Sequence, residues 1–389
     1  MYEDGYACQI CGARRLQEVP GFSGLPRVTS DCKPYGAGGR LSVCGGCGAA
    51  QKLLSEAWLR DTRSIYAAYQ SYFQAGGVEQ SVFDRSSRSI RPRSEILVDR
   101  LAQRLELAAE GRILDVGCGA GGMLGAFSRT FPGWRLSGQD LDERELPRLR
   151  TLARFEQLHT CALDALPGRY DLITLVHSLE HIPEPVNALK SLATKLRPGG
   201  CILIQVPDSR VWPFDLLVAD HLCHFEQASL AALVRRAGLE PTSGDWIQKE
   251  ISLVAVRGSG ASPVEAPIVD ASPGQRLDRV GAQLRWLHRF LERCSSARPV
   301  GPFGLFGTSV SATWVFGSVK ERVSFFVDED PARIGGMFMG HPIYAPADAP
   351  EGAEVFLALI PEVAQLVLAR LRSLPLKFIL PPDAEPGSW

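Results

Sequence analysis

Apolar residues along this chain fall into two patterns: short continuous runs, and longer segments where they recur at every third and fourth position. Ile113, Leu114 and Val116 form a run of the first kind, and residues 170–176 and 201–206 form two more. Such runs suit parallel strands buried on both faces. Helical stretches alternate with them. Residues 94–110 carry Leu97, Leu101, Leu105 and Leu107, and Ile182-Pro-Glu-Pro-Val186 starts another helix. Residues 245–256 supply closing strands. The alternation predicts an α/β fold built on a doubly wound parallel sheet. Residues 257–275, rich in Ala, Ser, Pro and Gly, read as a linker. Beyond it Leu277, Val280, Leu284, Leu287 and Leu291 mark an amphipathic helix. Then Val300-Gly-Pro-Phe-Gly-Leu-Phe-Gly307, a Ser/Thr/Ala-rich helix and Val323-Ser-Phe-Phe-Val-Asp328 give a second strand–glycine–helix–strand–acid unit.

The first strand runs straight into glycines. In Arg112-Ile-Leu-Asp-Val-Gly-Cys-Gly-Ala-Gly-Gly-Met-Leu124 they stand at 117, 119, 121 and 122, before a helical Met123-Leu-Gly-Ala-Phe127. Such a turn lets backbone approach a ligand closely, because glycine has no Cβ. Strand, glycine turn and helix make the nucleotide-binding half of a doubly wound sheet. The choice of nucleotide rests on Asp115. A dinucleotide sets its pyrophosphate on the helix N-terminus, and a carboxylate at the strand tip repels it. S-adenosylmethionine has no phosphate; it carries a sulfonium and an ammonium, which a carboxylate attracts. A second acid, Asp140, closes the next strand-like run, Trp134-Arg-Leu-Ser-Gly-Gln-Asp140. It follows Asp115 at close to the ~20-residue spacing at which an acid meets a ribose diol.

With both acids in place the segment resembles motifs I and II of the class I S-adenosylmethionine-dependent methyltransferases. Asp171-Leu-Ile with Leu179-Glu-His181, and Leu196-Arg-Pro-Gly-Gly200, extend the likeness. The resemblance implies a class I methyltransferase Rossmann-like core over residues 76–258. It implies a cofactor set of Asp115, Gly117, Gly119, Gly121, Asp140, Leu141, Asp164 and His177, with Asp164 meeting the adenine. A nicotinamide enzyme, or a nucleotide-like fold without ligand, is the competing reading of the glycines alone.

Ahead of this core stand Cys8-Gln-Ile-Cys11 and Cys44-Gly-Gly-Cys47. Two such knuckles are a structural zinc pattern, with four thiolates closing a tetrahedron. The gap between them is longer than usual, so the intervening loop must fold aside, with Cys32 left over. Ordinary free cysteines are the alternative; a redox dithiol fits less well. A closed zinc site folds a segment and leaves no open position for chemistry. The ten cysteines are not laid out as a disulfide scaffold, and Met-Tyr-Glu-Asp-Gly-Tyr is no signal peptide, so a reducing cytoplasm is expected. The net charge of −1 gives no electrostatic case for nucleic acid. The uncharged run between Arg298 and Lys320 holds two prolines and four glycines, which rejects a membrane span.

Ile65-Tyr-Ala-Ala-Tyr-Gln-Ser-Tyr-Phe73 puts Tyr66, Tyr69 and Phe73 on one helical face, either for packing or as a lid over the site. Arg85, Arg88, Arg91 and Arg93 crowd together after it, as a solvated loop or as forks for a phosphate group. The whole order is a zinc segment with a tyrosine-bearing lid (1–75), a methyltransferase core (76–258), and a linker helix with a Rossmann-like half (259–389). It resembles the bacterial C-methyltransferases that act on nucleotide-linked deoxy sugars, especially 4-keto sugars. In those enzymes an acid followed by a histidine, after the fifth strand, holds the catalytic base. The matching positions are Asp220 and His221, with His224 where the family has an aromatic and Asp220 where it has glutamate. The resemblance implies His221 as base, Asp220 orienting it or a substrate hydroxyl, His224 as second choice, and Tyr72 as the lid's phenol. It implies a nucleotide-linked sugar as the small-molecule partner, with a C-terminal half that either binds its nucleotide or only packs. Two other functions compete: O- or N-methylation of a sugar or natural-product intermediate, and a non-catalytic S-adenosylmethionine-binding scaffold. The oligomeric state is left open.

Overall fold

The computed structural model describes residues 5–73, 77, 79, 81–84, 87, 89–244, 246–258 and 272–385. Its N-terminal segment holds β1 (Leu16–Glu18), β2 (Leu41–Cys44) and β3 (Ala50–Lys52), a separate two-stranded ribbon of Arg27–Val28 and Pro34–Tyr35, and then helix α1 (Glu56–Ala67). Ser55 caps α1 by accepting the Trp58 N–H. The helix ends within the tyrosine pattern, just after Tyr66. The Gln70 N–H, which would continue the ladder, donates to the Asp31 carboxylate instead (3.0 Å). Arg144 takes the Tyr66 and Tyr69 carbonyls (2.9 and 2.8 Å). The helical face expected for Tyr66, Tyr69 and Phe73 therefore does not form, and Tyr72 lies in a turn at φ 57. Of the arginine cluster, Arg85 and Arg88 lie outside the described residues.

Helix α2 (Arg93–Arg104) ends before the expected Glu110, where Leu105 turns to extended backbone. The central unit follows: β4 (Arg112–Val116), α3 (Gly122–Thr130), β5 (Arg135–Gln139), β6 (Phe155–His159), β7 (Tyr170–Val176), α4 (Pro185–Thr194), β8 (Leu196–Pro207), the short β9 (Cys223–His224), α5 (Gln227–Arg236), β10 (Leu239–Gly244) and β11 (Glu250–Arg257). Seven of these strands form one sheet in the order β6-β5-β4-β7-β8-β11-β10. It is parallel except for β11, which runs against both neighbours. The closing strands begin at Leu239, earlier than expected, and Asp245 lies outside the described residues. Strand order reverses between β4 and β7, so a crevice opens at their C-terminal ends. The continuous apolar runs have the expected cause: helices cover both faces. Leu97, Leu101, Leu124 and Phe127 pack on one face, and Trp58, Leu189, Leu192 and Leu233 on the other.

Strand β9 leaves this sheet and pairs with β3, completing a four-stranded sheet β1-β2-β3-β9. The N-terminal segment is thereby stitched to the chain just after β8. The C-terminal unit comprises α6 (Pro273–Ser296), β12 (Phe303–Phe306), α7 (Val310–Val319), β13 (Val323–Val327), β14 (His341–Tyr344), β15 (Glu354–Leu357), α8 (Pro361–Leu371) and β16 (Lys377–Ile379). Its strands run parallel in the order β14-β13-β12-β15-β16, with Met337–Phe338 antiparallel at the edge. Most of the expected linker, residues 259–271, lies outside the described residues; its last part is already helix, since Ser272 and Gln275 form a capping box for α6. Phe22 and Val28 share a core with Trp286, Phe290, Trp314 and Phe356. No helix among the described residues is long and apolar enough to cross a membrane.

Candidate active site

The glycine turn is shaped by backbone that other residues adopt poorly. Gly117, Gly119 and Gly121 have φ of 72, 45 and 79. A Cβ at Gly117 would sit 2.7 Å from the Ser178 Cβ. Asp140, just past β5, accepts the Gly119 N–H and its own neighbour's, Leu141, both at 2.7 Å. Asp115 faces Thr174 across the β4–β7 pair and accepts its hydroxyl (2.6 Å). Burial pushes the Asp115 carboxyl up to about 7, against the pull of Thr174. A desolvated carboxylate with one hydroxyl partner is a site prepared for a cation.

These groups open on one cavity of about 1150 Å³. That is at the top of the ordinary range of about 300–1,000 Å³ for ligand pockets, with room for a nucleoside-sized ligand and a second molecule beside it. Asp115, Gly117, Gly119, Asp140, Leu141 and His177 all line it. Gly121 shapes the turn from behind, against Leu149. Asp164 does not line the cavity. It is exposed in a 3-10 turn, and the preceding Ala162 and Leu163 form the wall instead. His177, at φ 52, lies 3.5 Å from Glu180 and 3.3 Å from Glu250. Burial and Arg93 favour its neutral form, but the two glutamates prevail and raise it to about 9.

Across the cavity sits His221. Its Nδ1 lies 2.7 Å from Asp215. Burial opposes charge on the imidazole, yet Asp215 raises it above the usual histidine range. Asp215 is itself buried, and His224 and His221 hold it well below the carboxylate range. Asp215 therefore has the orienting place the sequence reading gave to Asp220. Asp220 is turned away: its two oxygens accept the Ser30 N–H (2.9 Å) and hydroxyl (2.5 Å). Its carbonyl meets His181 Nδ1 at 3.0 Å, and the His181 ring stands edge-on to His221, centroids 4.6 Å apart. His224 does not reach the cavity; its Nδ1 holds the other Asp215 oxygen at 2.7 Å.

Tyr66, Tyr69 and Tyr72 line the same cavity. Burial keeps all three phenols protonated, reinforced by Asp220 for Tyr66 and Tyr69 and by Glu79 for Tyr72. Sequence reasoning missed Asp215, Glu180 and Glu250. Asp215 left one signal, a lone acid in the apolar Pro213-Phe-Asp-Leu-Leu217.

At the far end of the N-terminal sheet the two knuckles converge. Cys8 and Cys47 sulfurs are 3.6 Å apart, Cys11 and Cys44 3.5 Å, and all four lie within 4.8 Å of one another. These spacings match the roughly 3.8 Å edge of a thiolate tetrahedron with ~2.3 Å metal–sulfur bonds. Cys32 lies elsewhere, buried on the cavity wall.

Residues 89–243 match the family described as a methyltransferase domain. The ubiquinone biosynthesis O-methyltransferase of Bordetella bronchiseptica is 31% identical over 153 residues, covering 34% of this chain and 63% of that protein. The corresponding protein of Bordetella avium is 30% identical over 164 residues, covering 36% and 67%. The chain thus spans about two thirds of the length of these relatives, which in turn match about a third of it. Among solved structures, the mitomycin 7-O-methyltransferase aligns with 52% of this chain and 67% of its own, at 22% identity and a TM-score of 0.37. The domain match, the relatives and the sheet order together place this chain in the class I S-adenosylmethionine-dependent methyltransferase family.

Proposed function

We propose that this protein methylates a small-molecule acceptor with S-adenosylmethionine, using His221 as general base. The observation that supports this most is that His221, aligned by a buried carboxylate, opens onto the same cavity as Asp115, Gly119 and Asp140. Asp115 would meet a cationic group of the cofactor, and Asp140 the ribose diol. Bound there, S-adenosylmethionine supplies an already activated methyl group.

The favoured acceptor is a nucleotide-linked keto sugar, methylated at the carbon beside its ketone. His221 Nε2 takes the proton from that carbon. A phenol among Tyr66, Tyr69 and Tyr72, held in its donating form, stabilises the enolate oxygen. The carbon–methyl bond then forms as the sulfur–methyl bond breaks, and the proton stays on His221 until it is lost to solvent. Ser309, Val310 and Val363 reach the cavity from the C-terminal unit, which supports a share for residues 259–389 in holding the acceptor. A second reading, O-methylation, is favoured by the relatives' names; there His221 would deprotonate a hydroxyl. We assign Cys8, Cys11, Cys44 and Cys47 to a structural Zn²⁺ that folds residues 1–75.

The test offers purified protein methyl-labelled S-adenosylmethionine, keto and non-keto nucleotide sugars, and phenols, and locates the label by mass and NMR. Label on the carbon beside the ketone is expected, with kcat lowered about 10²–10⁴-fold in His221→Ala. Label on oxygen would replace the first reading by the second. Undiminished turnover in His221→Ala would remove the base assignment from both. Zinc is checked apart by metal analysis, with one Zn²⁺ per chain expected and lost in Cys44→Ser.

A further inference from the structure

Behind the base lies a buried chain of groups that does not line this cavity. Asp215 is bracketed by His221 and His224, one Nδ1 on each oxygen at 2.7 Å. His224 Nε2 in turn faces the Lys52 amine at 3.2 Å. Lys52 is 1% exposed. Its amine also donates to the Val218 and His221 carbonyls, the latter at 3.1 Å, and stands over the Phe22 ring. An ammonium has three donors and no acceptor, and here three acceptors surround it.

From this geometry we infer that Lys52 and His224 are positioning residues that fix the tautomer of His221 through Asp215. The inference rests on the reading of His221 as base. An ionised carboxylate only accepts, so both Nδ1 atoms facing Asp215 carry hydrogen. The ammonium of Lys52 requires a lone pair at His224 Nε2. His224 is thereby a neutral donor, and the full negative charge of Asp215 stays directed at His221. His221, with hydrogen on Nδ1, keeps its Nε2 lone pair for the acceptor's proton. Were His224 an imidazolium instead, Asp215 would be shared between two cations. Burial and the nearby Lys52 do hold His224 down to about 4. Burial also draws Lys52 itself down to about 7, against the attraction of Asp215.

The other charged or titratable groups around the chain lie on the far side or at its rim. Glu180 and Asp220 act on His221, whose ring meets that of His181, with Tyr66 beyond the His181 ring. Arg27, Asp220 and Cys223 act on Lys52. None of these hydrogen-bonds to His224. Lys52 belongs to β3, which leaves the cysteine knuckle and pairs with β9, the strand carrying His224. The N-terminal segment thus supplies a control group to the base from 169 residues away in sequence.

The test reads the rings directly and needs no acceptor. Nitrogen-15 NMR of histidine-labelled, zinc-loaded full-length protein distinguishes the two tautomers. Both rings are expected to carry hydrogen on Nδ1, His224 being neutral between pH 6 and 8 and His221 shedding its Nε2 proton only above the usual histidine range. In Lys52→Met, His224 is expected to titrate at least one pH unit higher, with Lys52→Arg restoring the original pattern. Hydrogen on Nε2 of His224 in the unaltered protein overturns the inference, whether or not any variant folds. An unchanged His224 titration in Lys52→Met reduces Lys52 to packing and overturns it too. Where an acceptor is in hand, Lys52→Met should lower kcat about tenfold or more with cofactor affinity unchanged. A silent His221→Ala would defeat the base reading while leaving the tautomer result standing.

Discussion

Asp115 and Leu305 hold equivalent places in two copies of one backbone plan. Each stands two residues before a left-handed glycine, Gly117 at φ 72 and Gly307 at φ 90, that turns a buried strand into a helix. The following acid corresponds as well, Asp140 after β5 and Asp328 after β13. What differs is the filling. Asp140 spends its oxygens on two N–H groups of the turn and leaves the crevice open. Asp328 takes the Thr308 hydroxyl (2.9 Å), Arg333 (3.2 Å) and the Asp330 N–H (3.0 Å). Helix α7 is buried from Val310 to Phe316 and wedged against the N-terminal segment. The partners of Asp140 lie in the turn that lines the cavity, whereas those of Asp328 come from within its own unit, away from the cavity lining. Strand–glycine–helix–strand–acid is thus a statement about backbone, and the two copies differ in what their acids hold.

The sharpest test of this contrast substitutes the two glycines. Gly117→Val should weaken S-adenosylmethionine binding more than a hundredfold by calorimetry, because its Cβ strikes Ser178 beside the ligand space. Gly307→Val should leave that affinity within about twofold and cost only the roughly 1–3 kcal/mol of a strained backbone position, since a Cβ there meets nothing within 4 Å. Next come the acids. Asp140→Ala should weaken cofactor binding about tenfold to a hundredfold. Asp328→Ala should not touch it but should destabilise the fold by about 3 kcal/mol, leaving buried Arg333 short of a partner. If Asp328→Ala weakened binding of a nucleotide and left stability alone, the second copy would be a binding site after all.

A further contrast concerns pH. The folded Asp115 carboxyl is raised to about 7, above its unfolded value near 3.9. The folded state then binds the extra proton, and ligand-free stability falls as pH rises between those values. Asp115→Asn should flatten that slope and raise the melting temperature at pH 8, by at most about 4 kcal/mol of stability. Leu305→Asn carries no such gain. An unaltered slope in Asp115→Asn would mean the carboxylate is already compensated.

The contiguous features were legible beforehand. The glycine turn and its flanking strand are local, so Asp115 to Gly121 could be read as one word, and the four cysteines carry their own spacing. Features set by distant partners were not. Residues 69–73 carry a helical pattern, but Asp31 and Arg144 take the backbone groups a helix needs. Asp164 is one step beyond the wall residues because a 3-10 turn rotates it outward. Asp220 follows the family position, yet Ser30 claims its carboxylate and leaves Asp215 to hold the imidazole. No periodicity marks Lys52 as the neighbour of His224.

The Trp314 indole donates to the Pro26 carbonyl at 2.8 Å, across 288 residues of chain. During synthesis this leaves Phe22 and Val28 among the last residues to be covered, although they are made long before their partners. At about 5–20 residues per second, Phe22 and Val28 wait roughly 15–60 s for α6 and α7 to cover them. The metal-clasped knuckle proposed above would give that waiting segment a local fold of its own until α6 and α7 arrive.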